Sequence, residues 1–354
     1  MNNKMKAQVL YGVDDLRYVD YDIPELGPDD VLVKVSACGV CGSDIPRILT
    51  TGTYHFPTIC GHEFGGVITK IGSNCDANLM NKRVAVIPLI PDHSCDMCEV
   101  GHFAQCAHYD FLGSRSDGGF AEYCKVPKEN LVFMPDGVND EVAAMLEPIT
   151  VAQHVITNNG VNFGDDVVVY GLGAIGIFVA QWAKAFGAGR VFAIDLDPKK
   201  VEIAKSIGLE DAICSKDLDV KSYIFEKTSN KGVDAVFEAS GSGYVWNEAI
   251  MLLKQGGRMG LVGRPTKGLQ IANETYEKIL RSQITIKGTW SFEMKHFPHN
   301  AWDISLQAVR DGKIKTEEIM SHRLPLSKLY EGVRIMADKT EFFHKILIKP
   351  DLDK

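Results

Sequence analysis

Residues Asp92 to Cys106, "DHSCDMCEVGHFAQC", form the densest group of metal-binding side chains in the sequence. Cys95, Cys98 and Cys106 have the spacing of a zinc loop, and a closed structural site requires four ligands, so a fourth of another type is expected. A second set is sparser. "CGVCGSD", "GHEFGG" and "LEPITV" carry Cys41, His62 and Glu147, a thiol, an imidazole and a carboxylate, each suited to zinc. Their spacing does not join them; only a fold could. The third constellation is "VVVYGLGAIG", with Gly171, Gly173 and Gly176 in the G-x-G-x-x-G pattern.

This glycine pattern follows an apolar strand, opens a helix and precedes a strand ending at Asp195, which is the context a dinucleotide site requires. Gly171 permits the turn, Gly173 lets backbone approach a pyrophosphate, and Gly176 lets helix and strand pack closely. The anion would rest on the helix N-terminus. Asp195 would accept both adenosine ribose hydroxyls and repel a 2′-phosphate, which favours NAD over NADP. The candidate cofactor residues are therefore Gly171, Gly173, Ala174, Ile175, Gly176 and Asp195, with Val262 and Gly263 at the end of a later strand. The competing reading is a glycine-rich turn in a plain α/β domain.

The elements that must position these groups fall into two textures. "DDVLVKVSACGV", "GHEFGGVITKIG", "NKRVAVIPLI" and "GGFAEYCKVP" are short runs rich in valine, isoleucine and aromatics, punctuated by turn residues, and predict a β-rich N-terminal part. From "DEVAAMLEPITVAQHVITNNG", which has helical apolar spacing, the pattern becomes alternating. "DVVVYG", "RVFAID", "AICS", "VDAVFEAS" and "GGRMGLVG" predict strands, with helices at "IGIFVAQWAKAFG" and "PKKVEIAKSIG" between them. That rhythm means a parallel sheet with crossover helices. "KLYEGVRIMADKT" predicts a last helix and "HKILIKP" a last strand.

Composition excludes several classes of function. The chain has 354 residues, enough for about two domains, with 45% hydrophobic and 24% charged residues. A net charge of -8, from 38 basic and 46 acidic residues, argues against nucleic acid or an anionic membrane as partner. The cysteine loop also lacks the second cysteine pair of a nucleic-acid-binding zinc ribbon. No signal-peptide pattern opens the sequence, and the nine cysteines read as ligands and buried thiols rather than disulfides, so a cytoplasmic location is expected.

In their order along the chain, "CGSD", "GHEFGG", the cysteine loop, "GFAEY", "EPITV", "GLGAIG" and "GGRMGLVG" resemble the zinc-dependent medium-chain dehydrogenases, and within them the polyol branch. The resemblance implies an α/β protein with a GroES-like, zinc-binding catalytic domain over 1–155 and a Rossmann domain, a doubly wound parallel sheet, over 156–290. Residues 291–354 would return to the catalytic domain. It implies a homodimer or homotetramer acting on a small molecule with NAD and two zinc ions per chain. The catalytic zinc would sit on Cys41, His62 and Glu147, with one position open and Glu63 as an alternative ligand. Asp44 would hold the other ring nitrogen of His62, and Ser43 would pass on the substrate's proton. Many relatives end this relay on a histidine where Pro46 stands here, so the proton must leave through Ser43, the cofactor ribose and water, or through Glu63.

Counting back from Cys106 in the register of the family's four-cysteine loop, the missing first ligand falls on Asp92. The implied structural zinc therefore has Asp92, Cys95, Cys98 and Cys106, with His93 as the fallback. A phosphorylated polyol would need a cation in the substrate pocket. Arg47, Arg115, Lys295 and His296 are the candidates, and Trp290 is a candidate apolar wall. Three readings compete: a dehydrogenase of a sugar-alcohol phosphate, the same chemistry on an unphosphorylated polyol or secondary alcohol of the sorbitol, threonine or butanediol type, and a non-catalytic dinucleotide-binding protein.

Overall fold

A computed structural model of the chain describes residues 3–216, 218–265, 268–294 and 300–353. It divides into two compact units. The first comprises Met1–Glu147, Met294–Gln307 and Met320–Lys354; the second comprises Pro148–Glu293 and Ala308–Ile319. The division after Glu147 falls before the expected boundary at 155. Residues 308–319 pack with the second unit, so only part of the expected 291–354 return belongs with the first.

In the first unit the valine-rich runs pair as antiparallel strands, because alternate side chains can then leave water on one face. The main sheet is centred on Asp30–Gly39, which pairs with Glu63–Ile71 and Tyr123–Pro127. The last strand, Lys345–Lys349, is antiparallel to Asp30–Gly39 through Leu347 opposite Gly39, and parallel to Met320–Pro325. The buried carboxylate of Glu141 ties this return down, accepting from Arg323 Nε at 2.9 and 3.1 Å and from Lys349 Nζ at 2.5 Å. Val33, Val35, Phe64, Ile68, Phe120, Ile346 and Ile348 share one core. Burying each such large side chain contributes about 1.5–3 kcal/mol.

The second unit carries a six-stranded parallel sheet. Its order is Ile213–Cys214, Arg190–Asp195, Asp166–Tyr170, Val233–Glu238, Leu253–Leu261 and Thr285–Gly288. In chain order this is 3-2-1-4-5-6, the doubly wound arrangement whose strand order reverses beside the first strand. The helices Ala174–Ala185 and Pro198–Ser206 follow the first two strands. Val168, Phe192, Ile194, Val236, Trp246 and Met259 form the core. The α/β class with a β-rich GroES-like part and a Rossmann part is what the sequence predicts. No helix among the described residues is long and apolar enough to cross a membrane.

Candidate metal and dinucleotide sites

The pairing of Gly39 with Glu63 brings the end of one strand, and the residues just beyond it, beside the start of another. Cys41, His62 and Glu63 thereby place one ligand atom each within 4.8 Å of one another. A Cβ at position 39 would collide with Glu63 Oε2 and stand 2.8 Å from Lys345 Cε, so glycine leaves room for a buried ion pair there. Lys345 Nζ donates to Glu63 Oε2 and also to Val40 O at 3.2 Å. Asp44, fully buried, accepts the Cys41 N–H at 2.9 Å and lies 3.6 Å from His62 Nδ1. That nitrogen is buried without a hydrogen-bond partner, since 3.6 Å is beyond hydrogen-bond reach. Arg47 donates to Ser43 Oγ at 2.8 Å and to Asp44 Oδ1 at 3.3 Å.

Glu147 lies in the first turn of the helix Leu146–Asn159, and falls outside the tight group that holds Glu63. The difference is one of connection, because Glu63 follows His62 directly on a strand while Glu147 arrives on a separate helix. Glu147 is nonetheless buried within the field of the group. Burial pushes its carboxyl up to about 8, partly offset by His62 and reinforced by Glu63 and Cys41. Burial likewise pushes the Cys41 thiol up to about 11, with Glu63 and Asp44 adding to the rise. Four acidic groups thus share a dry region in which Lys345 is a fixed cation. A divalent cation fits this donor set, since it would compensate the buried acids and draw on soft and hard ligands together.

The cysteine loop is the second metal group. Asp92, Cys95, Cys98 and Cys106 place ligand atoms within 4.8 Å of one another. Asp92 Oδ1 accepts from Ser94 N at 2.9 Å, Cys95 N at 3.3 Å and Cys98 Sγ at 3.4 Å. Its Oδ2 faces His108 Nδ1 at 3.0 Å. The Ser94 N–H above all holds the Asp92 carboxyl well below the usual carboxylate range. Burial and the neighbouring Cys106, Cys95 and Asp92 push the Cys98 thiol up to about 12. His93 is outside the group, with its ring edge-on to Phe103 at 5.5 Å. All nine cysteines are free of disulfides.

In the second unit, Gly171 has φ +89, and a Cβ there would stand 2.7 Å from Ser240 Cα. A Cβ on Gly176 would collide with Gly171 O, whereas one on Gly173 meets nothing within 4 Å. The turn is therefore tight below and open above, the form of a phosphate cradle. Gly173 is the N-cap of Ala174–Ala185, so the first-turn N–H groups, those of Ala174 and Ile175 included, have no intrahelical acceptor. Asp195 accepts Leu172 N at 2.7 Å and Asp197 N at 2.9 Å, which fixes its carboxylate against the glycine turn. A carboxylate has about four acceptor positions, leaving capacity for a ribose hydroxyl. The N–H groups of Val262 and Gly263 are spent on Glu238 O at 3.0 and 2.8 Å.

The substrate candidates separate. Arg47 is engaged with Ser43 and Asp44, and Trp290 is 62% exposed in the second unit. Lys295 and His296 lie outside the described residues. The Arg115 guanidinium sits over the Tyr54 and Tyr109 rings at 4.2 and 4.3 Å. A cavity of about 820 Å³, lined among others by Tyr21, His55, Arg115 and Tyr123, is not lined by Cys41, His62 or Glu147. Two partners of the site residues escaped the sequence reading. Lys345 opens an apolar strand and pairs with Glu63 across 282 positions, which no local pattern reveals. His108, two residues past Cys106, could have been suspected from its nearness to the loop.

Residues 27–136 match the family model of the alcohol dehydrogenase GroES-like domain, and residues 174–307 that of the zinc-binding dehydrogenases. The chain is 33% identical to galactitol 1-phosphate 5-dehydrogenase of Escherichia coli K12 over 339 residues, 95% of this chain and 97% of that one. A crystal structure of galactitol-1-phosphate dehydrogenase from Escherichia coli superposes with a TM-score of 0.90 at 32% identity, covering 98% of this chain and 100% of the other. Sorbitol dehydrogenase of Bacillus subtilis is 28% identical over 353 residues, 98% of each chain. A protein of Sinorhizobium meliloti 1021, described as a zinc-binding dehydrogenase bound to NADP, has a TM-score of 0.90 at 28% identity over 98% of this chain and 99% of its own. With both metal groups and the glycine turn in place, the chain belongs to the zinc-dependent medium-chain alcohol and polyol dehydrogenases.

Proposed function

We propose that the protein oxidises a secondary hydroxyl of a sugar-alcohol phosphate, galactitol 1-phosphate to tagatose 6-phosphate, with NAD as hydride acceptor. The observation that carries the chemistry is the dry cluster of Cys41, His62, Glu63 and Glu147, in which burial above all pushes the Cys41 thiol and the Glu147 carboxyl toward their protonated forms. Cys41, His62 and Glu147 would hold the catalytic zinc, and Lys345 would keep Glu63 back as the alternative ligand. When bound, zinc acidifies the substrate hydroxyl and the nicotinamide ring accepts the hydride.

The chain's own residues then orient and move the proton. Asp44 Oδ1 lies 3.6 Å from the unpartnered His62 Nδ1, and a small approach that closed this gap to a hydrogen bond would fix the tautomer that leaves the other nitrogen for the metal. Ser43 Oγ already accepts from Arg47, so its own proton points elsewhere and its second lone pair can take up the substrate's proton. Pro46 cannot continue that relay, and the ribose of the cofactor or Glu63 would. Asp195 at the ribose end supports NAD over NADP by like-charge repulsion of a 2′-phosphate. Asp92, Cys95, Cys98 and Cys106 would hold a structural zinc away from the chemistry.

The phosphorylated substrate rests on similarity to the galactitol 1-phosphate enzyme, and the competing reading, an unphosphorylated polyol, on similarity to the sorbitol enzyme. NADH formation on galactitol 1-phosphate and on free sorbitol at equal concentration decides between them. Faster turnover of sorbitol would sink the phosphate assignment, and equal rates with NAD and NADP would sink the cofactor assignment.

A further inference from the structure

We infer that His154 is a positioning residue for the nicotinamide half of the dinucleotide, because it holds in place the strap formed by residues 288–293 at the carboxyl end of the parallel sheet. The inference rests on the dinucleotide reading of the glycine turn and adds the residue that shapes the other end of that site.

Ligands of a doubly wound sheet lie beyond the carboxyl ends of its strands, where the strand order reverses. Here Asp195 ends the second strand and the glycine turn follows the first, so the adenosine half lies over those two strands. The other half must extend the opposite way, over the carboxyl ends of Val233–Glu238 and Leu253–Leu261. Leu253–Leu261 stands two strand steps from the strand that feeds the glycine turn, roughly 10 Å. A nicotinamide ribotide reaches roughly 8–10 Å from its phosphorus to its far ring carbon at ordinary bond lengths. Residues 288–293 leave the edge strand Thr285–Gly288 at this same end. The Thr289 N–H donates to Leu261 O at 2.9 Å, which turns the strap onto the end of Leu253–Leu261.

Three side chains of the helix Leu146–Asn159 fasten the strap. His154 Nδ1 donates to Ser291 O at 3.0 Å; a carbonyl only accepts, so that nitrogen carries the proton. Its Nε2 lies 3.3 Å from Glu293 Oε1. One turn on, Asn158 Nδ2 donates to Gly288 O at 3.1 Å and to Thr289 Oγ1 at 3.0 Å, and Asn159 Nδ2 donates to Thr289 Oγ1 at 3.1 Å. Between these fastenings the chain bends hard. Ser291 has φ +56, a left-handed conformation that a residue with a side chain keeps only where its surroundings enforce it. Phe292 is fully buried, while Trp290, between Thr289 and Ser291, is 62% exposed. His154 is itself buried, so it acts on the site through the strap and not by touching the ligand.

Asparagine and glutamine separate the two ring nitrogens. Asn Nδ2 falls near the place of His Nδ1 and Gln Nε2 near that of His Nε2. H154N therefore keeps the donor to Ser291 O, and H154Q keeps only the one facing Glu293. The zinc-loaded full chain is titrated calorimetrically with NADH and with ADP-ribose, which lacks the nicotinamide. H154Q should weaken NADH roughly threefold to tenfold, the loss of one buried hydrogen bond, and leave ADP-ribose within about twofold. H154N should stay within about twofold of the wild type for both, and the KM for NAD should follow the NADH affinities. Equal losses on NADH and ADP-ribose would mark a purely structural role and overturn the inference. So would an unchanged NADH affinity in H154Q, or an H154N as weak as H154Q. Should H154Q melt early, T289V removes the acceptor shared by both asparagines at nearly constant shape and should give the same split. A wild type that binds NADPH more tightly than NADH would refute the NAD assignment, and the same comparison with NADPH and 2′-phospho-ADP-ribose then decides the strap. A wild type that binds none of these would refute the dinucleotide reading, and the inference with it.

Discussion

Replacing Lys345 with methionine tests whether the first metal group is a dry cluster of acids held by one lysine. The Lys345 side chain is 3% exposed and that of Glu63 2%, so neither charge can turn to water when its partner is lost. Methionine fills most of the lysine's volume but leaves the Glu63 carboxylate among Cys41, Asp44 and Glu147. Removing one partner of a buried pair costs about 3–5 kcal/mol, and the lost bond to Val40 O adds about 1 kcal/mol. Adding E63Q removes the stranded charge, so K345M/E63Q should recover all but about 1–2 kcal/mol, since a neutralised pair is close to break-even. Hydrogen exchange on the metal-free full chain reads this locally, at the strands Glu63–Ile71 and Lys345–Lys349. Where global opening limits exchange, K345M should speed it roughly a hundredfold to several thousandfold. The reasoning fails if K345M changes exchange by less than tenfold, or if E63Q brings no recovery.

At neutral pH the metal-free Glu147 carboxyl, raised to about 8, and the Cys41 thiol, raised to about 11, are mainly protonated, so zinc uptake there should release about two protons and tighten as pH rises. Because the folded value for Glu147 lies above its ordinary 4.5, its contribution to metal-free stability is present below 4.5 and fades as pH approaches 8; calorimetry in buffers of different ionisation heat checks both, and pH-independent uptake would contradict them. D92A should leave one zinc per chain instead of two, and H108A should keep two but release the structural ion to a chelator about tenfold or more faster, as metal titration would show. D195A should raise the KM for NAD at least about tenfold and narrow the preference over NADP, because the same carboxylate also anchors Leu172 N.

The parallel sheet was legible because its strands are buried on both faces and read as unbroken apolar runs bounded by glycine. Thr285–Gly288 escaped because it is short, lies at the sheet edge and is largely exposed, so it carries no apolar run. The stretch before Glu147 read as helical throughout, but it forms a 3-10 turn at Asp140–Ala144 and then the helix Leu146–Asn159, with Pro148 in its first turn. Cys41, His62 and the cysteine loop could be singled out by chemical type. What lay beyond reach were the pairings made by tertiary structure: Glu63 with Lys345, and Arg115 with the rings of Tyr54 and Tyr109. Each joins side chains whose individual types are unremarkable on a soluble surface, and only the fold brings them together.

The most direct test is to measure zinc content and turnover together in the wild type and in C41S. The wild type should carry two zinc ions per chain and reduce NAD with a polyol substrate, while C41S should keep only the ion of the cysteine loop and form no NADH. Undiminished turnover in C41S, or two zinc ions retained in it, would contradict a catalytic centre built on Cys41, His62 and Glu147.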